Sequence, residues 1–127
     1  MSLSVANCAR ALVVLVIEDE FFVRCNIADC LRDEGYTVVE TASGEEAIAI
    51  CRSSMSIDIV FTDINLVGAA SGWDVAECFR IIRPNVAVLY TSGKLGDARR
   101  RVPRSKFVAK PYKNNDILKA CEQLLGK

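Results

Sequence analysis

Four apolar runs of the sequence each end at a side chain that could take part in chemistry. These side chains are Glu18 and Asp19 after Ala11–Ile17, Asp63 after Ile57–Thr62, Thr91 at the end of Val86–Thr91, and Lys110 after Phe107–Ala109. Three carboxylates that are brought together repel one another, and oxygen ligands of this kind suit Mg²⁺ or Mn²⁺. A hydroxyl and an ammonium beside the cation would bind phosphate oxygens. The set therefore predicts a site that places a phosphoryl group on Asp63.

Each of these residues also has an ordinary structural explanation when it is taken alone. Glu18 and Asp19 would suit the start of a helix, where acidic side chains interact well with the helix dipole. Asp63 would suit a turn, Thr91 would suit a strand, and Lys110 would suit a solvated surface. Their joint occurrence at four strand ends of one predicted sheet is what favours the site.

The pattern of apolar side chains predicts the elements that would position these residues. The four runs and Thr37–Thr41 are rich in Val, Ile, Leu or Phe and are typical of buried parallel strands. Amphipathic stretches between them predict helices over Phe22–Glu34, Gly44–Arg52, Gly72–Arg83 and Asn115–Leu125. This alternation predicts an α/β fold, a (βα)5 doubly wound parallel five-stranded sheet. Such sheets bind ligands at their carboxyl edge, where the candidate residues would meet.

Local signals predict how some of the helices begin, pack and end. Ser43 and Glu46 have the spacing of a capping box for the second helix. The stretch Ser92–Ser105 has little apolar periodicity, so we expect at most a short helix near Asp97–Arg101. The residues predicted to face inward from the third helix are Val75, Phe79 and Ile82.

The composition is that of one globular domain. Of 127 residues, 51% are hydrophobic and 25% are charged, which suits a single domain over 11–127 after a flexible lead-in over 1–10. The longest apolar run is far shorter than the ~20 residues of a membrane helix, and no secretory signal is apparent, so we expect a cytoplasmic protein without membrane contact. The absence of histidine excludes serine-type triads and the common zinc sites.

Charge is distributed unevenly along a chain whose net charge is zero. Residues 1–63 hold eleven acids and four bases, whereas residues 64–127 hold five acids and twelve bases. A solvated surface is the simpler interpretation of the basic excess, and a partner-binding patch is the alternative. Because no helix-turn-helix or aromatic platform accompanies these charges, we expect no direct binding of nucleic acid.

Four segments together resemble a response-regulator receiver domain of bacterial two-component signalling. They are VLVIEDE at 14–20, VFTDIN at 60–65, VLYTS at 88–92 and FVAKP at 107–111, and the resemblance spans residues 11–125. It implies a flavodoxin-like strand order of 2-1-3-4-5 and a phosphoacceptor switch rather than an enzyme. The phosphoryl group would come from the phosphohistidine of a sensor histidine kinase or phosphotransfer protein. The changed conformation would then regulate a downstream protein, and a phosphorylation-dependent homodimer is compatible with this role.

The resemblance also implies the ligands of the metal and of the phosphoryl group. Asp63 would be the phosphoacceptor, and Asp19 and Asp63 would bind Mg²⁺ directly, with Mn²⁺ as a substitute. Glu18 would act through water, and Asn65 would contribute its main-chain carbonyl.

The remaining implied roles concern the phosphoryl oxygens and the switch. Thr91 and Lys110 would contact the phosphoryl oxygens, and Thr91 would act with Phe107 as the switch pair. The Lys110–Pro111 peptide bond would be cis.

The chain departs from the common receiver pattern at three places. The loop Ile64–Ser71 is one residue longer than usual, and Val67 replaces a frequent proline there. The segment between Thr91 and Lys110 is short and rich in glycine, so we expect the fourth helix to be short or displaced. Phe107 lacks the hydroxyl of the more usual tyrosine. This combination is similar to an atypical single-domain receiver subfamily known from alphaproteobacteria.

Other classes of protein share part of these features. A Mg²⁺-dependent aspartyl-phosphate hydrolase of the haloacid dehalogenase type would need an acid where Asn65 stands. A flavodoxin would need a phosphate loop where Glu18 and Asp19 stand, and a dinucleotide-binding domain would need the missing G-x-G-x-x-G motif. An interaction module that is never phosphorylated would retain all five site residues only by coincidence.

Overall fold

The computed structural model describes residues 11–93 and 100–126, which form five strands and four helices. The strands are β1 (Val13–Ile17), β2 (Thr37–Thr41), β3 (Ile59–Asp63), β4 (Ala87–Ser92) and β5 (Ser105–Ala109). The helices are α1 (Phe21–Asp33), α2 (Gly44–Cys51), α3 (Gly72–Ile82) and α4 (Asn114–Leu124). Each predicted strand and each of the four long predicted helices is present, with ends that differ by at most two residues.

The five strands form one parallel sheet in the order β2-β1-β3-β4-β5. This order confirms the predicted 2-1-3-4-5 arrangement. The register pairs Ile17 with Thr62 and Asp63 with Thr91, so the carboxyl ends of β1, β3 and β4 lie level with one another. The topology therefore brings the predicted site residues to one edge of the sheet.

Two apolar layers cover the sheet, one on each face. Alternate residues of β1 enter different layers, because successive side chains of a strand point to opposite faces. Leu15 and Ile17 pack with α2 and α3, whereas Val14 and Val16 pack with α1 and α4. Each fully buried side chain of this size contributes about 1.5–3 kcal/mol. Covered on both sides, the strands give the residues at their ends a rigid support.

The predicted inward stripe of α3 is wrong at its last position. Val75 and Phe79 are buried, but the side chain of Ile82 is 46% exposed. Ile82 is the last residue of the helix and lies outside both apolar layers, so its side chain has no core surface to contact.

The predicted capping box of α2 is only half formed. The Ser43 side chain accepts a hydrogen bond from Glu46 N, but the Glu46 carboxylate accepts from Ala42 N rather than from Ser43 N. A complete box begins α3 instead, where Ser71 and Asp74 bond to each other's backbone N–H.

The connection between β4 and β5 is described only at residues 93 and 100–104, and none of these lies in an α-helix. Most of the short helix predicted at Asp97–Arg101 therefore lies outside the described residues, as does the predicted lead-in over 1–10. Among the residues that the structure describes, no helix is long and apolar enough to cross a membrane.

Candidate functional site

Three carboxylates converge at the carboxyl edge of the sheet. Glu18 follows β1 directly, and Asp63 is the last residue of β3. Both are buried, with exposed surface fractions of 4% for Glu18 and 7% for Asp63. Together with Asp19, each of them places a carboxylate oxygen within 4.8 Å of the other two. The structure thus brings together the acidic residues that the sequence proposed as metal ligands.

Each of these carboxylates accepts a hydrogen bond from a backbone N–H. The N–H of Glu20 donates to Glu18 Oε2 at 3.0 Å, and that of Asn65 donates to Asp63 Oδ1 at 3.1 Å. Asp19 is held from farther along the chain, because its Oδ2 accepts from Val67 N at 2.9 Å. Hydrogen bonds to an ionised acceptor are stronger than neutral ones and fix the orientation of the carboxylates.

Lys110 joins two of the acids. Its Nζ lies 2.7 Å from Asp63 Oδ2 and 3.0 Å from Glu18 Oε1. The Lys110 backbone N–H donates to the Ser92 carbonyl, which fixes the chain just after β5 against the end of β4. The following peptide bond, Lys110–Pro111, is cis.

Thr91 lies beside Asp63 in the sheet and is almost completely buried. Its Oγ1 has no hydrogen-bond partner among the described residues. A buried hydroxyl normally finds a partner, so an unpaired one in register with Asp63 suits a site that binds an oxygen-rich group.

Gly72 allows α3 to contact the end of β3. A Cβ at this position would lie 2.2 Å from the Asp63 carbonyl oxygen and 2.7 Å from Ile64 Cα. The Gly72 N–H also donates to the Ile64 carbonyl at 2.9 Å. Only glycine fits here, so the first residue of α3 helps to set the position of the Asp63 backbone.

Asn65 and Phe107 occupy different surroundings. Asn65 lies next to the carboxylates, and its side-chain amide donates to Ser92 Oγ at 3.0 Å. Phe107 is in register with Tyr90 on the neighbouring strand and packs against the apolar layer that contains α2 and α3. Phe107 thus lies in an apolar layer, and β4 stands between its strand and β3, which carries Asp63.

Comparison with known proteins identifies the family. The chain matches the response regulator receiver domain over residues 14–122. It belongs to the receiver domain family. The crystal structure of a response regulator receiver protein from Sinorhizobium medicae is similar, with 34% identity and a TM-score of 0.87 over 91% of this chain and 95% of that one. This membership does not favour the hydrolase or the unphosphorylated interaction module.

Two curated relatives of this receiver domain are longer proteins. The sensor kinase CckA of Brucella abortus is 31% identical over 119 residues, which are 90% of this chain and 12% of the relative. The transcriptional regulatory protein PdtaR of Mycobacterium tuberculosis is 30% identical over 120 residues, again 90% of this chain and 57% of the relative. The receiver domain thus spans a small part of the first relative and little more than half of the second.

Burial and charge change the acidity of groups in the receiver site. Burial raises the pKa of Glu18, although the Glu20 N–H and Lys110 partly oppose the change. Burial alone would lower the pKa of Lys110, but its hydrogen bonds to Asp63 and Glu18 raise it overall. Burial also raises the pKa of Tyr112 to about 12, and the charge of Glu18 adds to the effect. Lys110 is therefore fully charged at neutral pH and opposes the repulsion between the carboxylates.

Sequence reasoning missed several supporting contacts of the receiver site. The Arg24 guanidinium donates to the Glu18 carbonyl at 2.9 Å and lies 3.5 Å from Glu40 of β2. The sequence signal for the Gly72 contact was its place directly after the capping residue Ser71. A capping serine is common at the start of any helix and does not indicate such a contact. The hydrogen bond from Val67 to Asp19 could not be predicted from side-chain types, because the donor is a backbone N–H.

Proposed function

We propose that this receiver domain accepts a phosphoryl group on Asp63 from the phosphohistidine of a histidine kinase or phosphotransfer protein. The position of the Asp63 side chain carries the proposal. It is buried among two further carboxylates, 2.7 Å from the Lys110 ammonium and in register with the unpaired hydroxyl of Thr91. Because kinases of this kind take their phosphoryl group from ATP, the proposal places the receiver domain in the cytoplasm.

The donor set of the acidic cluster fits Mg²⁺. It consists of carboxylate oxygens, and neither histidine nor cysteine belongs to it, which is the preference of hard divalent ions. Asp19 and Asp63 would hold the ion directly, Glu18 through water and Asn65 through its carbonyl, and Mn²⁺ would substitute. When bound, the cation neutralises charge on the carboxylates and on the phosphoryl oxygens.

In the transfer step, an Asp63 oxygen attacks the phosphorus of the phosphohistidine. The new O–P bond forms as the P–N bond breaks, and the leaving imidazole nitrogen keeps the electron pair. Lys110 changes partner from the Asp63 carboxylate to a phosphoryl oxygen, and the Thr91 hydroxyl donates to another. The receiver thus assists its own phosphorylation by positioning and charge, and the same groups act when water later removes the phosphoryl group.

The conformational change that would regulate a partner protein begins at the Thr91 hydroxyl. Bonding to a phosphoryl oxygen would draw Thr91 towards Asp63, and the neighbouring residue, Tyr90, lies in register with Phe107. We infer that Phe107 changes its packing when Thr91 moves, which alters the surface around β5 and regulates a partner protein.

The test is labelling with a small phosphodonor such as phosphoramidate, followed by intact and peptide mass spectrometry. We expect one phosphoryl group on Asp63 in Mg²⁺, none with chelator present and none in Asp63→Asn. Asp29→Asn is the matched control, because Asp29 has an exposed side chain on α1 outside the cluster. Label on another residue, or equal labelling without the metal, would show that the assignment is wrong.

A further inference from the structure

Asp19 differs from the other two carboxylates in how it is held. Glu18 and Asp63 each accept from the N–H two residues later in the chain, which is a local contact that forms with the turn itself. Asp19 instead accepts from the N–H of Val67, 48 residues away. Asp19 is also less buried than Glu18 and Asp63, so within the described part of the chain its orientation depends more strongly on the bond from Val67.

The backbone of Val67, rather than its side chain, makes this contact. The Val67 side chain extends into solvent, with 76% of the residue exposed. Proline, which is frequent at this position in receiver domains, has no backbone N–H and could not form the bond. The donor therefore exists because a non-proline residue stands at position 67.

Several contacts fix the loop over 64–71 that carries the donor. Gly68 has a φ of +111°, a conformation that L side chains rarely adopt. The Glu45 carboxylate of α2 accepts from Ala70 N at 2.9 Å, and Gly44 approaches Ala70 too closely to carry a Cβ. Anchored to α2 on one side, the loop presents the N–H of Val67 at a fixed place.

We propose that the backbone N–H of Val67 is a positioning group for the divalent cation. It holds Oδ2 of Asp19, which leaves the second oxygen for the ion beside Glu18 and Asp63. Without the N–H, the Asp19 side chain would lose this restraint, and ordering it would then oppose cation binding. This inference rests on the proposed function, because it assumes that the acidic cluster binds Mg²⁺.

The experiment is a titration of the whole chain with MgCl₂ alone, followed by the backbone amide signals in NMR spectra. Val67→Pro removes the N–H donor. Val67→Ala is the matched control, since it keeps the N–H and shortens only an exposed side chain. We expect Val67→Pro to weaken Mg²⁺ binding about tenfold, as is typical for the loss of a group that orients a metal ligand. Val67→Ala should stay within twofold of the wild type.

A second measurement uses the unaltered backbone, in case Val67→Pro disturbs the fold. The amide proton of Val67 should exchange with solvent more slowly in the wild type than in Asp19→Ala, which removes the acceptor. Equal exchange in the wild type and Asp19→Ala would overturn the inference. In the titration, equal Mg²⁺ affinity of the wild type, Val67→Pro and Val67→Ala would overturn it as well. So would an equal loss of affinity in Val67→Pro and Val67→Ala. A wild type that binds no Mg²⁺ would overturn the metal dependence of the proposed function together with this inference.

Discussion

The guanidinium of Arg100 forms a two-point ion pair with Glu77 of α3. Its Nη2 lies 2.8 Å from Glu77 Oε1, and its Nε lies 3.1 Å from Glu77 Oε2. The same Nη2 lies 3.1 Å from Asp74 Oδ1, and Asp74 also closes the capping box at the start of α3. One side chain thus connects the segment before β5 to the helix whose first residue, Gly72, contacts the Asp63 carbonyl.

Arg100→Ala should destabilise the fold by about 1 kcal/mol, because the pair is partly exposed although it is bidentate. A double-mutant cycle with Glu77→Gln, measured by urea unfolding, should show positive coupling between the two residues. Arg52→Ala is a suitable control, since Arg52 is an exposed residue at the end of α2. Additive effects of the two changes would contradict a direct contribution of the ion pair.

The same substitution should change the titration of Asp74. Its pKa lies below the usual range because the Ser71 N–H, and then the Arg100 side chain, donate to the carboxylate. Because folding lowers the pKa of Asp74, its carboxylate stabilises the fold at pH values above the unfolded pKa, near 3.8. This contribution is lost as the pH falls through the pKa of the folded state. In Arg100→Ala the pKa of Asp74 should rise yet remain below its ordinary value, because the Ser71 bond persists. Carbon-13 NMR titration of the carboxyl group measures this shift.

Gly72→Ala tests the contact between α3 and β3. Alanine favours a helix over glycine by about 1 kcal/mol, so propensity alone predicts stabilisation. The added Cβ would meet the Asp63 carbonyl oxygen and the Ile64 backbone, which predicts a loss of about 1–3 kcal/mol instead. Gly93→Ala is the control, since a Cβ there would meet nothing within 4 Å. Thermal unfolding of both variants distinguishes the two signs.

Apolar pattern was sufficient to predict the strands, the long helices and the convergence of Glu18, Asp63 and Lys110, because burial on both faces of a parallel sheet leaves a strong sequence signal. It was insufficient for contacts made by the backbone. The bond from Val67 to Asp19 depends on loop conformation, which no side-chain pattern encodes. The prediction that Ile82 faces inward was wrong for a related reason. The apolar periodicity of a helix continues to its last turn whether or not the core extends that far.

Lys110→Ala should separate two roles of the ammonium. Without metal, the variant leaves Glu18 and Asp63 with no ammonium between them, so it should melt at a lower temperature than the wild type. Mg²⁺ should then stabilise the variant more than the wild type, because Lys110 no longer competes with the cation. The response to beryllofluoride, a phosphoryl analogue, should be weaker. Lys119→Ala on the exposed face of α4 is the control. If Lys110→Ala matches Lys119→Ala in the melting experiments and in the response to beryllofluoride, Lys110 has neither role.

Cys121 should make the stability of the fold depend on alkaline pH. It is fully buried between α4 and the sheet, and burial raises its pKa from 9.0 to about 12. The folded chain therefore keeps the thiol proton at a pH where the unfolded chain loses it. The resulting stability is complete below pH 9.0 and is lost as the pH rises towards 12, by at most about 1.4 kcal/mol per pH unit. Cys121→Ala should lower stability at neutral pH by removing packed atoms, yet reduce the decline between pH 9 and 10.5 in urea unfolding. Parallel declines in the two proteins would show that ionisation of Cys121 is not linked to folding.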